Sequence, residues 1–385
     1  MKAIVNGKVL IGQAWESNTA LVFDDTILAL VSESQLEHGD FEEIIDAKGC
    51  YVSPGFIDLH VHGCSGADTM DEDEKALNTI SMGLAATGVT SFLPTTMTME
   101  FSRIEDALRR IRRSREIVGG AQILGCHLEG PFINKKYKGA QDEQYILRPD
   151  FSLLEDFKDI IRIVTMAPEL DGSKEFIEAC RLHNIVVSLG HSNATYDEAK
   201  EAFHWGIGHL THTFNAMPPF HHRLPGPVGA AVESDNVICE LIADNIHVHP
   251  VMQQILLRLK GQEKVILITD AMRACLLGEG RYDLGGQMVN VKEGTAKLDN
   301  GTIAGSTLRL HEGVRNFAKN SGVSLAQVIQ LVTSNPAQAI KIDDHKGSLT
   351  LGKDADIIIF DANVSIIATF VRGKKVYGRE NECGL

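Results

Sequence analysis

The sequence predicts an α/β protein: a (β/α)8, TIM-like barrel carrying a small β-sandwich domain formed from both chain ends. Three observations predict it. The middle of the chain alternates short apolar runs with helical windows, the pattern of βα units and a parallel sheet. Eight such runs fall within about 220 residues, close to the size of one barrel of this kind. Both chain ends carry short β-prone runs broken by turn residues, and the middle does not. A doubly wound open sheet is the alternative, but no GxGxxG or P-loop follows any of the runs.

Taken in order, residues 3–5, 8–11, 20–23 and 27–31 read as strands, punctuated by Asn6-Gly7 and Asp24-Asp25. The eight barrel-strand candidates are 55–62, 90–94, 122–128, 161–166, 185–189, 209–213, 239–242 and 264–269. Helical periodicity covers 73–86, 102–117, 174–183, 196–205 and 250–259. Residues 282–305 read as a hairpin region around Gly285-Gly286, Gly294 and Asn300-Gly301, followed by helices at 306–320 and 325–332 and a further helix start at Asn335-Pro336. Strands return at 356–360, 366–371 and 375–377. The expected division is therefore 1–52 and 347–385 for the sandwich and 53–346 for the barrel.

The 385 residues are 44% hydrophobic and 23% charged, a balance that supplies a sizeable core. A formal net charge of −14 argues against nucleic acid or anionic membrane as a partner, because both demand a basic footprint. A small anionic substrate remains open to it, since that responds to the local field of a pocket. Seven cysteines (50, 64, 126, 180, 239, 275 and 383) never form CxxC, so reduced thiols and a cytoplasmic location are expected. The N-terminus lacks the apolar run of a signal peptide, and no stretch approaches the roughly 20 apolar residues of a membrane span.

Chemistry in such a barrel collects at the C-terminal strand ends. The first candidate strand ends in His60-Val61-His62, and a period of two puts both imidazoles on one face. The third ends in His127-Leu128-Glu129-Gly130-Pro131, the fifth in Gly190-His191-Ser192, the sixth in His209-Leu210-Thr211-His212 and the eighth in Thr269-Asp270-Ala271. Taken singly, Glu129 is more often a surface carboxylate than a ligand and the lone histidines of the fifth and sixth strand ends are more often structural, whereas the His60/His62 pair by itself already favours a metal. Jointly, with only 15 histidines in the chain, they point to a divalent-metal site. Imidazole and carboxylate suit zinc, iron, manganese or cobalt alike.

This arrangement resembles the amidohydrolase superfamily. The opening 52–60, VSPGFIDLH, and the tail 347–358, GSLTLGKDADII, are similar to that superfamily's conserved ends, so the resemblance spans nearly the whole chain. Dihydroorotase and hydantoinase relatives bridge two metals with a lysine, and no lysine occupies a comparable strand end. Glu129 in HLEGPF, the stretch 212–218 (HTFNAMP), 244–248 (DNIHV) and 304–308 (AGSTL) instead resemble the N-acetylglucosamine-6-phosphate deacetylase family.

That resemblance implies Glu129, His191 and His212 as ligands of a principal metal, with His60 and His62 available to a second, so one or two divalent ions per subunit, zinc or iron before manganese or cobalt. It implies Asp270 as catalytic acid and base. Substrate contacts are implied at Ala140, Gln141, Asn215, Ala216, Arg223, Asp244 and His247, with Ile303, Ala304 and Gly305 contacting the sugar through the backbone. Arg223 and His247 face the phosphate, and a homodimer in which Arg223 reaches the neighbouring pocket is implied. Gln141 departs from the family, standing where some members have a histidine that polarises the acetyl carbonyl. Amide hydrolysis needs these parts: a nucleophile available at neutral pH, a polarised carbonyl and a proton for the departing amine. The expected substrate is an amino-sugar phosphate, N-acetyl-D-glucosamine 6-phosphate, with its galactosamine epimer and, more distantly, a cyclic amide as alternatives. Among basic clusters, His221-His222-Arg223 is the expected phosphate site. A non-catalytic scaffold would be expected to lose the ligands or Asp270, and all are present.

Overall fold

A computed structural model describes residues 1–36 and 41–379; Cys383 lies outside them. All eight barrel strands form: Phe56–Val61, Val89–Pro94, Gln122–Ile123 continued by Cys126–Glu129, Ile161–Met166, Val186–Leu189, His209–Leu210, Ile238–Ile242 and Val265–Ile268. Neighbours pair in parallel, as the long crossover connections between them permit. The ring closes where Val61 bridges Ala271 and the Asp270 N–H donates to the His60 carbonyl at 2.9 Å.

The third strand is broken at Gly125. Its first half pairs with the second strand and its second half with the fourth. Gly125 sits at φ 152°, and a Cβ there would lie 2.5 Å from Arg162 Cγ and 2.6 Å from the Ile160 carbonyl oxygen. Only glycine permits that approach.

Helices Ala76–Ala85, Phe101–Ser114, Ser173–Leu182, Tyr196–Trp205 and Pro250–Lys260 fall where periodicity predicts them. Two departures have local causes. Helix Gly226–Glu233 forms from a Gly- and Pro-containing run that reads as loop; proline at its first turn lacks only a donor that would go unused, and Val228, Ala230 and Ala231 are buried. After the third strand no α-helix is found among the described residues. Three 3-10 turns, Lys135–Tyr137, Glu143–Tyr145 and Phe151–Phe157, occupy that connection and carry the Lys-rich segment over the barrel mouth. Strands Gly280–Leu284, Gln287–Lys292 and Thr295–Leu298 form an antiparallel meander beside it.

The chain ends build the sandwich together. Tyr51–Pro54 pairs in parallel with Lys8–Ile11 on one side and antiparallel with Ile357–Phe360 on the other. A facing four-stranded sheet contains Lys2–Val5, Thr19–Phe23, Ile27–Ser32 and Glu43–Asp46. Ile4, Leu21, Phe23, Val52, Ile357 and Phe370 fill the space between, with Phe23 and Phe370 edge-on at 5.7 Å.

One buried cation holds the return from the barrel into the sandwich. Lys346 Nζ donates to Asp356 Oδ2 at 2.6 Å and Asp354 Oδ2 at 2.8 Å. Asp356 in turn accepts the backbone N–H of Arg372 on its side chain and that of Gly55 on its carbonyl. Burial works against the Lys346 ammonium, but the two carboxylates hold its pKa above the usual range. Lys346→Met should strand buried carboxylate charge and destabilise by about 3–5 kcal/mol, read as a lowered urea midpoint at unchanged slope. A change under about 0.5 kcal/mol would mean the ion pair is dispensable.

Candidate active site

Six side chains from five strand ends meet at the barrel mouth. His60 and His62 leave the first strand on the same face. Glu129 is the last residue of the third strand. His191, His212 and Asp270 each follow their strands by two residues and take left-handed backbone, with φ of 48°, 27° and 51°. Non-glycine residues adopt that conformation at a cost, and it turns each side chain inward over the mouth.

The imidazole Nε2 atoms converge. His191 Nε2 lies 3.1 Å from His212 Nε2, and each is 3.2 Å from Glu129 Oε1. His60 Nε2 lies 3.3 Å from His62 Nε2, which is 3.3 Å from both Glu129 Oε2 and Asp270 Oδ1. Glu129 thus stands between two groups able to hold a metal ion, His60/His62/Glu129 and Glu129/His191/His212.

The donor chemistry fits a cation. The Nδ1 atoms of His191 and His62 face the carbonyls of Tyr137 and Thr95 at 2.9 and 3.2 Å, so their protons are committed there. Their Nε2 lone pairs then point at the Nε2 atoms of His212 and His60 and at carboxylate oxygens, an arrangement that repels itself unless positive charge lies among them. The electrostatics say the same. Burial opposes ionisation of Glu129, yet His60 and His191 hold it well below the usual carboxylate range. Burial likewise disfavours the His62 cation, yet Asp270 and Glu129 raise its pKa well above the usual value.

Above the cluster opens a cavity of about 560 Å³. His62, Glu129, His191, His212 and Asp270 form its floor. Ala140, Gln141, Asn215, Ala216, His247, Ile303, Ala304 and Gly305 all line it. His60 lies underneath, fully buried. Asp244 is not on the wall; its Oδ2 accepts from His247 Nδ1 at 2.6 Å and fixes that ring. Gln141 Oε1 accepts from the Thr98 N–H at 2.6 Å, and its Nε2 donates to Glu129 Oε2 at 2.8 Å. Its amide is therefore engaged with the carboxylate common to both groups able to hold a metal ion. Arg223 does not line its own chain's cavity and is exposed.

Sequence reasoning missed the basic wall. Lys135, Lys136 and Lys138 line the cavity, with Lys136 Nζ held by Asn193 Oδ1 at 2.9 Å and Lys138 Nζ by the Gln141 carbonyl at 3.3 Å. A run of three lysines within four residues, just after a ligand-bearing strand of an acidic chain, was the available signal. Also missed was Glu240, a lone carboxylate inside the apolar seventh strand, wholly buried beneath His60.

Residues 51–376 match the amidohydrolase family. The chain belongs to that family. This amidohydrolase is 40% identical over 358 residues to the N-acetylglucosamine-6-phosphate deacetylase of Bacillus subtilis (strain 168), covering 91% of this chain and 90% of the relative. It is 34% identical to the N-acetylgalactosamine-6-phosphate deacetylase of Escherichia coli O157:H7, covering 95% and 97%. The crystal structure of the Pasteurella multocida N-acetylglucosamine-6-phosphate deacetylase superposes with a TM-score of 0.92 at 32% identity, over 97% of this chain and 99% of that one. A Mycobacterium smegmatis deacetylase solved in complex with N-acetyl-D-glucosamine-6-phosphate gives 0.88 at 28%, over 97% and 99%. The barrel and the sandwich are those of this family, and the chain is a hydrolase.

His191→Ala removes one lone pair from the Glu129/His191/His212 group. Bound metal and activity should fall sharply while circular dichroism stays near native, checked by elemental analysis of the purified variant. Unchanged metal content with full activity would remove His191 from the ligand set.

Proposed function

We propose that this amidohydrolase hydrolyses the N-acetyl amide of N-acetyl-D-glucosamine 6-phosphate, giving glucosamine 6-phosphate and acetate. The observation that carries the reading is the meeting, in one cavity, of the Glu129/His191/His212 group, the Asp270 carboxylate and a cationic wall. A divalent cation bound there supplies Lewis acidity, which makes water a competent nucleophile near neutral pH and polarises the amide carbonyl. Zinc or iron suits the imidazole and carboxylate donors. Asp270 takes the proton from attacking water and returns it to the amide nitrogen as that bond breaks, so the amine leaves neutral. Gln141 steadies Glu129 and keeps its second N–H for the acetyl group. Asn215, Ala216 and the segment Ile303-Ala304-Gly305 hold the sugar from opposite walls.

The phosphate is received by His247, held by Asp244, and by Arg223. Arg223 projects into solvent from a loop that also exposes Phe220 and Leu224, which are 41% and 75% exposed. Apolar residues flanking a displayed arginine favour a surface covered by a second subunit, and we read the protein as a homodimer whose Arg223 completes the neighbour's pocket. The similarity to an N-acetylgalactosamine-6-phosphate deacetylase keeps that epimer as a second reading, decided by assaying both sugars. Cys64, Cys126, Cys180, Cys239 and Cys275 form no disulfide among the described residues, which accords with a reducing, cytoplasmic setting. Among the described residues no helix is long and apolar enough to cross a membrane.

Asp270→Asn keeps the shape and removes the base. With N-acetyl-D-glucosamine 6-phosphate, kcat should drop by roughly 10²–10⁴-fold while the substrate still binds. Retention of more than about a tenth of wild-type kcat would exclude Asp270 from proton transfer.

Arg223→Ala should lower kcat/KM for the sugar phosphate by roughly ten- to a hundredfold, the worth of one charge-assisted hydrogen bond. Unphosphorylated N-acetylglucosamine should be nearly unaffected, and an equal fall for both substrates would show Arg223 to be structural. Mixing Arg223→Ala with Asp270→Asn chains should restore activity in heterodimers if the pocket is shared. No recovery after confirmed subunit exchange would assign Arg223 to its own chain's site.

A further inference from the structure

The histidines of the cluster are braced in different ways. His62 and His191 set their Nδ1 atoms against backbone carbonyls. His60 sets its Nδ1 against a side-chain carboxylate instead: Glu240 Oε2 lies 3.6 Å away. The other oxygen, Oε1, lies 3.7 Å from His209 Nδ1. Among the described residues, none of these four atoms has a hydrogen-bond partner. Glu240 and His60 have no exposed surface at all. The second face of the His60 ring is occupied by His127, edge-on at 4.5 Å, whose own nitrogens are engaged by the Leu59 carbonyl and Thr165 Oγ1. His60 therefore has two directions of polar contact, the carboxylate behind it and the cluster in front.

A carboxylate in the interior of a barrel, without a close hydrogen bond, is among the most unfavourable groups a protein can bury. Nothing in the strand Ile238–Ile242 calls for it, since its neighbours in that strand are apolar. Its charge makes sense as a partner to positive charge held on the far side of His60. With Glu240 behind Nδ1, that nitrogen carries the proton, the Nε2 lone pair faces His62 and Glu129, and the ring becomes a stronger donor than one braced by a neutral carbonyl.

We propose that Glu240 is a positioning residue for a second divalent cation: it holds His60 as a donor to the His60/His62/Glu129 group, so that this group retains its own ion beside the one on Glu129, His191 and His212. The proposal rests on the reading of the paired groups as metal sites.

The test counts ions without using activity. Wild type, Glu240→Gln and His62→Ala are loaded with zinc, and retained equivalents per chain are followed through a graded chelator series. Wild type should hold two equivalents and His62→Ala one. Glu240→Gln should keep its tighter equivalent at wild-type affinity and bind the weaker one 10- to 100-fold less tightly, the usual loss when a partner behind a metal-bound histidine is removed. Metal-free Glu240→Gln should melt no lower than metal-free wild type, because an unfavourably buried charge has gone, and zinc should raise its melting temperature less. Should Glu240→Gln fail to fold, Glu240→Asp keeps the charge one methylene farther from His60 and should weaken the second ion by an intermediate factor.

Two equivalents of unchanged affinity in Glu240→Gln, or in Glu240→Asp where that variant is used, would overturn the role of Glu240 and leave the paired-site reading intact. Equal loss of both ions with a lower metal-free melting temperature would mean a structural role alone and also overturn it. A wild-type chain that holds a single ion at saturating zinc would overturn the second site itself, and the proposal with it.

Discussion

Lone pairs of several imidazoles directed at a shared carboxylate, on side chains buried beneath the cavity, are the constraint around which this molecule is organised. Such a cluster is unstable as a set of neutral and negative groups, and its geometry survives because positive charge can enter it. The scaffold spends backbone strain to build it: His191, His212 and Asp270 all sit in left-handed conformations just beyond their strands. Those conformations are fixed by strong local contacts, among them the Asp270 carbonyl accepting from the Ser306 N–H at 2.7 Å and the Asp270 N–H closing the ring onto His60. The bond that closes the barrel thus also aims the Asp270 carboxylate over the mouth.

A layer of positioning residues lies behind the side chains able to hold a metal ion. Thr95 and Tyr137 orient His62 and His191 through carbonyls, Gln141 ties Glu129 to the Thr98 backbone, and Asp244 fixes His247. Each commits one nitrogen or oxygen so that the other atom of the same group is free for metal or substrate. The connection after the third strand contributes Tyr137 and Gln141 to this layer, and short 3-10 turns stand there in place of a helix. A helix would carry its side chains along the outside of the barrel, whereas the turns fold Tyr137, Lys138 and Gln141 over its mouth.

The acidic chain and its anionic substrate are reconciled locally. The chain as a whole carries a net charge of −14, while the wall of one cavity presents Lys135, Lys136, Lys138 and His247. Screening over about 8–10 Å makes the near charges dominate at physiological ionic strength.

Much of the site was legible because barrel chemistry is tied to strand ends, and strand ends can be read from apolar runs. The eight strands, the order of His60, His62, Glu129, His191, His212 and Asp270 along them, and the β character of both chain ends followed from sequence alone. Helix Gly226–Glu233 did not, since burial of its small residues overrides their weak local preference. Nor did the lysine wall, the engagement of Gln141 with Glu129, the exposure of Arg223 or the placing of Glu240 under His60. Periodicity along one strand says which residues share a face, whereas the curl and register of the closed sheet decide which faces from distant strands meet. His60 and Glu240 lie 180 positions apart in the chain and are brought together only by that closure.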